Sequence, residues 1–157
     1  MNNGVKFVIC IFLPVFIGTA IGLASMGDVS GWYSTLEKPF FNPPDYLFGP
    51  VWTALYILMG ISSFLILRAN PNAWKQKPGI IYFFQLAFNA AWSIIFFNFH
   101  RMGVAFAEII ILWFVILLMI VTFYRLNKIA GLLQIPYLIW VSFATLLNGS
   151  ILILNHP

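Results

Sequence analysis

Five stretches of the chain are apolar for long enough to cross a bilayer, and the polar residues gather between them. Roughly 20 apolar residues cover a hydrocarbon core of about 30 Å. Runs of that order lie at about 5–24, 50–67, 79–99, 104–124 and 132–154. The first, with Lys6 ahead of it and Gly22-Leu23-Ala24 near its end, also fits a signal peptide. It is longer than a usual signal core and is therefore taken as a span. The turn His100-Arg101-Met102-Gly103 is so short that spans three and four are antiparallel neighbours. The pattern predicts one transmembrane domain over 1–157, an all-α bundle of five helices. Five spans do not divide into two equal halves, which argues against an inverted-repeat transporter.

Between spans one and two lies a connection, 25–49, that is long for so small a protein. Loops of this length tend to carry function. Pro39, Pro43 and Pro44 remove backbone donors and bias the residues before them away from the helix, so this part is no helix interior. Pro50 is a good first-turn residue and opens span two. Trp32, Tyr33, Phe40, Phe41, Tyr46, Phe48 and Trp52 crowd the junction. An exposed loop has no need of so much aromatic surface, so the expectation is a stiff lid over a flat apolar ligand.

Composition sharpens the class. Of the 157 residues 62% are hydrophobic and 8% charged, against about 25% charged in a soluble domain. The chain is thus an integral, multi-pass membrane protein. The net charge of +4 is an orientation signal, not a nucleic-acid surface, because the bases sit in connections. Lys6, Arg68, Lys75, Lys77, Arg125 and Lys128 fall on one side, Lys38 and Arg101 on the other. In a cell membrane the positive-inside rule puts the N-terminus in the cytoplasm and the first loop and C-terminus opposite. Cys10, the one cysteine, lies inside an apolar run, which excludes an internal disulfide and a zinc cluster.

Three spans carry polar and aromatic residues at helical spacing. Span three has Gln85, Asn89, Trp92 and Phe96; span five has Trp140, Ala144 and Asn148 one turn after Pro136; span two has Trp52, Tyr56, Met59 and Ser63. An amide facing lipid leaves unsatisfied groups at several kcal/mol each, so Gln85, Asn89 and Asn148 are expected to face the interior. Each taken alone fits a hydrogen bond between helices. Taken together, amides, indoles and small residues on three converging faces describe a small-molecule cavity that opens towards the first loop. Glu108, in span four, is either a functional intramembrane acid or a group that snorkels or pairs with Arg101. Gly18/Gly22 lets another helix or a ligand approach the backbone closely, and with Ala87/Ala91 it suits a homodimer seam or, more simply, packing within one bundle.

The runs WYSTLEKPFFNPP, FGPVWTALYILMG, QLAFNAAWSIIFF and PYLIWVSFATLLN, in that order, resemble the tryptophan-rich sensory protein / translocator protein family, also called the peripheral-type benzodiazepine receptor family. The match extends over nearly the whole chain. It implies a five-helix bundle that binds porphyrins, isoquinoline- or benzodiazepine-like ligands and, in animals, cholesterol. Carried over by motif, the ligand-binding residues are Trp32, Trp52, Asn89, Trp140, Ala144 and Leu147. Animal members have a cholesterol-recognition tail after span five. Here Asn155-His156-Pro157 follows, and Val121, Tyr124 and Lys128 fit only the loose sterol consensus.

With that resemblance, a protoporphyrin-like tetrapyrrole is the expected ligand or substrate, with indoles stacked on its face and Lys38 and Arg101 meeting its carboxylates. His100, His156 and Cys10 form no convergent pair for axial iron ligation, and no cofactor is required. For some members the resemblance implies light-dependent oxidative breakdown of the porphyrin. Trp52 and Trp140 are then the candidate catalytic residues, using the pigment's own photochemistry. The alternatives are a non-catalytic tetrapyrrole or lipid carrier, a stress-linked sensory regulator, and a helix-packing partner for another membrane protein.

Overall fold

A computed structural model describes residues 2–155; His156 therefore lies outside the described residues. Its five membrane-length apolar helices make a multi-pass bundle, and the described residues include no strand. Helix α1 covers Asn3–Asp28 and continues as a π-helical turn through Tyr33. After a loop and a 3-10 turn, Asp45–Leu47, comes α2, Phe48–Ala69. Helix α3, Lys77–Ser93, ends in a second π-helical turn, Ile94–Asn98, and α4 runs Met102–Leu126. A short α5, Lys128–Leu132, leads into α6, Ile135–Asn155, and the two form the fifth span.

Helix α1 is longer than hydropathy suggests. Residues after Ala24 read as a loop because Ser25, Gly27, Asp28, Ser30 and Gly31 are poor helix formers. In the fold their polar groups are taken up locally. Ser30 Oγ donates to the Met26 and Gly27 carbonyls. Asn98 at the end of α3 donates to the Ala24 carbonyl at 3.2 Å and to Asp28 Oδ2 at 2.9 Å. The non-helical connection is correspondingly shorter, from about 36 to 44. It is fastened near its start by Asn155 of α6, which donates to the Glu37 carbonyl at 2.9 Å and accepts from the Glu37 N–H at 3.0 Å.

The tight joint of the bundle is between α1 and α2, the most extensive helix pair. A Cβ on Gly60 would stand 2.6 Å from Ile11 Cα and 2.7 Å from the Cys10 carbonyl oxygen, so the two backbones touch. A Cβ on Gly18 would fall on the Tyr56 ring. One turn further along, Gly22 meets nothing within 4 Å. The small pair Gly18/Gly22 is therefore divided: the first member packs inside the monomer and the second faces open space. Beyond Gly18 a gap opens inside the bundle.

Helices α2, α5 and α6 are tied at the opposite end by Ser62 Oγ donating to the Ala130 carbonyl at 2.7 Å and Gln134 Nε2 donating to the Leu58 carbonyl. Trp113 Nε1 donates to Ser142 Oγ at 2.7 Å and joins α4 to α6. Gln85, Asn89 and Asn148 are all buried, as the cost of an amide in lipid requires.

Because the Gly60 contact is backbone to backbone, no side-chain rotation relieves it. Gly60→Ala should cost about 1–3 kcal/mol by overpacking and lower the thermal midpoint of the detergent-solubilised protein. Gly22→Ala, in open helical space, should leave that midpoint unchanged or raise it slightly. Equal midpoints for the two variants would remove the α1–α2 joint as a determinant of stability.

Candidate ligand-binding site

The gap beyond Gly18 is a cavity of about 400 Å³. Its walls come from the second half of α1, the start of α2, the end of α3 and the middle of α6. Helix α4 contributes nothing to the lining. Trp52 and Tyr56 form the α2 wall, stacked with ring centroids 5.6 Å apart and planes 26° apart. Trp92 and Phe96 form the α3 wall in the same way, at 5.5 Å and 21°. On α6 Trp140, Ala144 and Leu147 lie along one face, with Phe48 edge-on to Trp140 at 6.0 Å. Most of this surface is aromatic or aliphatic, as small-molecule sites between bundle helices are.

The polar groups near the cavity are mostly spoken for. Asn148 Oδ1 accepts from Trp92 Nε1 at 3.1 Å, and its Nδ2 donates to the Met102 carbonyl. Asn89 Oδ1 accepts from the Tyr56 hydroxyl at 2.7 Å, and its Nδ2 donates to the Tyr137 hydroxyl oxygen at 3.1 Å. These bonds fix the orientation of Trp92, Tyr56 and Tyr137. Trp140 differs: its indole N–H is buried and has no partner among the described residues. The lining includes neither His, Cys, Lys nor Arg; its one ionised side chain is Asp45.

Of the six residues expected at the site, Trp52, Trp140, Ala144 and Leu147 line the cavity together. Asn89 is one layer beneath, behind Tyr56, and is 3% exposed. Trp32 is behind the α3 wall, edge-on to Phe96 and stacked on His100 at 4.2 Å and 19°. It braces a turn in which His100 adopts a φ of 55°, uncommon for a non-glycine residue, and donates from Nε2 to Asp28 Oδ1 at 3.1 Å. Lys38 and Arg101 are not among the lining residues. The Lys38 ammonium is 4.6 Å from the centre of the Tyr33 ring. Of the loop aromatics, Tyr33 reaches the cavity, whereas Phe40 and Tyr46 are exposed and Phe41 packs edge-on to Phe143.

Glu108 neither snorkels nor pairs with Arg101. It is buried, and neither carboxyl oxygen has a hydrogen-bond partner in the described structure.

Of the α1 wall, sequence reasoning singled out only the Gly18/Gly22 pair, as a place of close approach for a helix or a ligand, and missed the rest. Gly18, Gly22, Ser25 and Val29 recur at helical spacing and leave one face of α1 without bulk, while Phe7, Phe12 and Phe16 project elsewhere as exposed side chains. That small-residue face was the available signal. Asp45 was missed as well, because its place on the cavity rim depends on how the loop re-enters the bundle.

The sequence of this chain matches the model of the TspO/MBR family over residues 10–154. It is 41% identical over 151 residues to the tryptophan-rich protein TspO of Chlorobaculum tepidum, covering 94% of each chain. Against the tryptophan-rich protein TspO of Archaeoglobus fulgidus it is 40% identical over 154 residues, with 98% of this chain and 99% of the other covered. The human translocator protein is 34% identical over 139 residues, 83% of this chain and 78% of that one. With a bundle of five membrane helices and a family match over nearly its whole length, this chain belongs to the TspO/MBR family.

Proposed function

We propose that the protein is a membrane receptor for flat, apolar small molecules, with protoporphyrin-like tetrapyrroles the leading ligand class and isoquinoline- or benzodiazepine-like compounds sharing the site. The supporting observation is the chamber walled by Trp52, Trp92 and Trp140, in which the nearby amides are already occupied in holding rings in place. Such a site recognises shape and ring faces more than hydrogen-bonding groups. Its volume of about 400 Å³ falls within the usual range for small-molecule pockets, about 300–1,000 Å³. In this reading a planar ligand enters edge-first and leaves its polar edge at the rim. The first loop, pinned to α6 through Asn155, acts as the cover in this reading.

Binding without conversion is the simplest reading of a lining that is mostly aromatic and aliphatic. Light-driven oxidation of the bound pigment would rest on Trp52 and Trp140 as oxidisable partners and on dioxygen as the final acceptor. A carrier or sensor role requires only the binding step.

Titration of the detergent-solubilised protein with protoporphyrin in the dark should quench tryptophan fluorescence with saturation at one site. Absence of saturable quenching would overturn the proposal. Trp52→Phe and Trp140→Phe should each weaken binding by about 2–10-fold, the value of one aromatic contact. Trp32→Phe, outside the lining, should stay within about twofold of the parent. An equal loss in all three variants would move the site away from the cavity. Illumination of the same samples under air addresses turnover: bleaching that persists in both Trp52→Phe and Trp140→Phe would exclude those indoles from any photochemistry.

A further inference from the structure

Helix α2 begins deep in the bundle. Its first residue, Phe48, is edge-on to Trp140, fifteen residues before the end of α6. The connection from α1 must therefore come down beside α6 to reach it. Glu37 is bonded to Asn155 at the end of α6, and four residues later Phe41 packs on Phe143. Between those two attachments α6 rises twelve residues, which is roughly 18 Å at about 1.5 Å per residue. Over the same stretch α6 exposes Leu146, Ile153 and Leu154. Its apolar surface thus continues above the level of Phe41, and the tip of the loop lies at membrane depth.

The tip suits that setting. Phe40 is fully exposed, Tyr46 largely so, and Phe41 and Leu47 in part. The charged residues bracket this patch, Glu37 and Lys38 before it and Asp45 after Pro44, and none lies within 39–44. Backbone outside a helix is costly next to lipid, because its polar groups find no partner there. Here Pro39, Pro43 and Pro44 have no N–H to strand, and the Asn42 N–H donates to the Pro39 carbonyl at 3.0 Å. The Asn42 side chain is also satisfied from within. Its Oδ1 accepts from the Tyr33 hydroxyl at 2.8 Å, and its Nδ2 donates to the Pro43 carbonyl at 3.1 Å. Of the N–H groups in this stretch only those of Phe40 and Phe41 remain without a partner among the described residues. The boundary between headgroups and acyl chains can meet two such groups; the centre of the hydrocarbon cannot.

From this placement we infer that the first loop docks on the bilayer. Phe40 and Tyr46 insert into the leaflet on the loop side, at the headgroup boundary, and Phe41 joins them to α6. Lipid is the occupant because the patch continues the exposed apolar surface of α6 through the Phe41–Phe143 contact. It also includes a tyrosine, as aromatic belts at the membrane interface do. A consequence follows for the cavity: the docked rings hold the cover down, and ligand release requires drawing them out of the leaflet. That consequence rests on the cavity being the ligand site, as proposed above; the docking itself does not.

Phe40→Cys carrying a nitroxide tests the docking, with the full-length protein in phosphatidylcholine nanodiscs. The parent protein, whose one cysteine is buried, gives the labelling blank. Leu146→Cys on α6 is the lipid-facing standard and Lys75→Cys the water-facing one, both at exposed positions. The label at 40 should behave as at 146, open to dioxygen and shielded from a water-soluble nickel chelate. Nickel accessibility equal to that at 75 would overturn the docking. Shielding from both reagents would mean cover by protein, a second copy or another partner, and would overturn it too.

Ligand release gives the second readout. Phe40→Ser and Tyr46→Ser should each release bound protoporphyrin about 3–10-fold faster from the nanodiscs, the worth of partly burying one aromatic ring. Phe114→Ser, which removes an exposed ring from α4, should leave the rate as in the parent. Unaltered release in both loop variants, or equal acceleration in Phe114→Ser, would overturn the docking as a hold on the cover. If protoporphyrin does not bind at all, the ligand reading fails, and the nitroxide still decides whether the loop enters the leaflet.

Discussion

One carboxamide holds the floor of the cavity. Asn89 of α3 accepts from Tyr56 of α2 and donates to Tyr137 of α6, joining three helices at a single buried point. The strength of this arrangement comes from the alternative. In hydrocarbon an amide or phenol without a partner costs several kcal/mol, so the helices can separate here only by leaving polar groups stranded. Trp52 stacks on Tyr56 and meets Tyr137 edge-on, so the first wall of the chamber inherits its position from the same bridge. A second bridge, from Trp92 through Asn148 to the Met102 carbonyl, does likewise for the walls on α3 and α6.

Above that floor the constraint is the opposite: something must keep the bundle from closing. Helix α1 is pressed on α2 at Gly60 and Gly18 and is fastened to the end of α3 through Ser25, Asp28 and Asn98. Between those two attachments α1 presents Gly18, Gly22 and Ser25 at helical spacing, and this face leaves a gap before α6. Tyr56 and Trp92, fixed by hydrogen bonds, and Trp52, stacked on Tyr56, cannot swing over to fill the space without breaking those contacts. The cavity is thus a consequence of rigid walls on three helices and a slender fourth. This arrangement keeps a binding surface preorganised, so that little ordering remains for a ligand to impose.

Much of this was legible in the chain. Five apolar runs, amides at helical spacing and indoles beside them dictated a bundle with an aromatic interior, because lipid permits no other place for Gln85, Asn89 and Asn148. The family resemblance named Trp52, Trp140, Ala144 and Leu147, and these residues do meet around one cavity. Asn89 and Trp32 were legible only as members of the neighbourhood. Whether an amide on an interior face lines a cavity or lies one layer beneath it turns on the length of the tyrosine in front of it, and helical periodicity has no term for that. Trp32 was placed with the ligand by motif, but its ring packs on His100, a contact between segments that pairs residues far apart in the chain.

The amino-acid sequence by itself determined the class of the protein, the number of its spans and which faces turn inward, since these follow from the cost of placing polar groups in hydrocarbon and from a fixed helical repeat. Tertiary structure decided the rest. It set where α1 ends, because Asn98 of α3 rather than any local signal satisfies that turn. It separated Gly18 from Gly22, although both occupy the same helical face, because one lies at the helix crossing and the other beyond it. It brought Asp45 to the rim and left Lys38 against Tyr33. Such outcomes depend on the paths of loops and the angles at which helices part. Those are settled by the sum of contacts across the bundle, and no short stretch of the chain contains them.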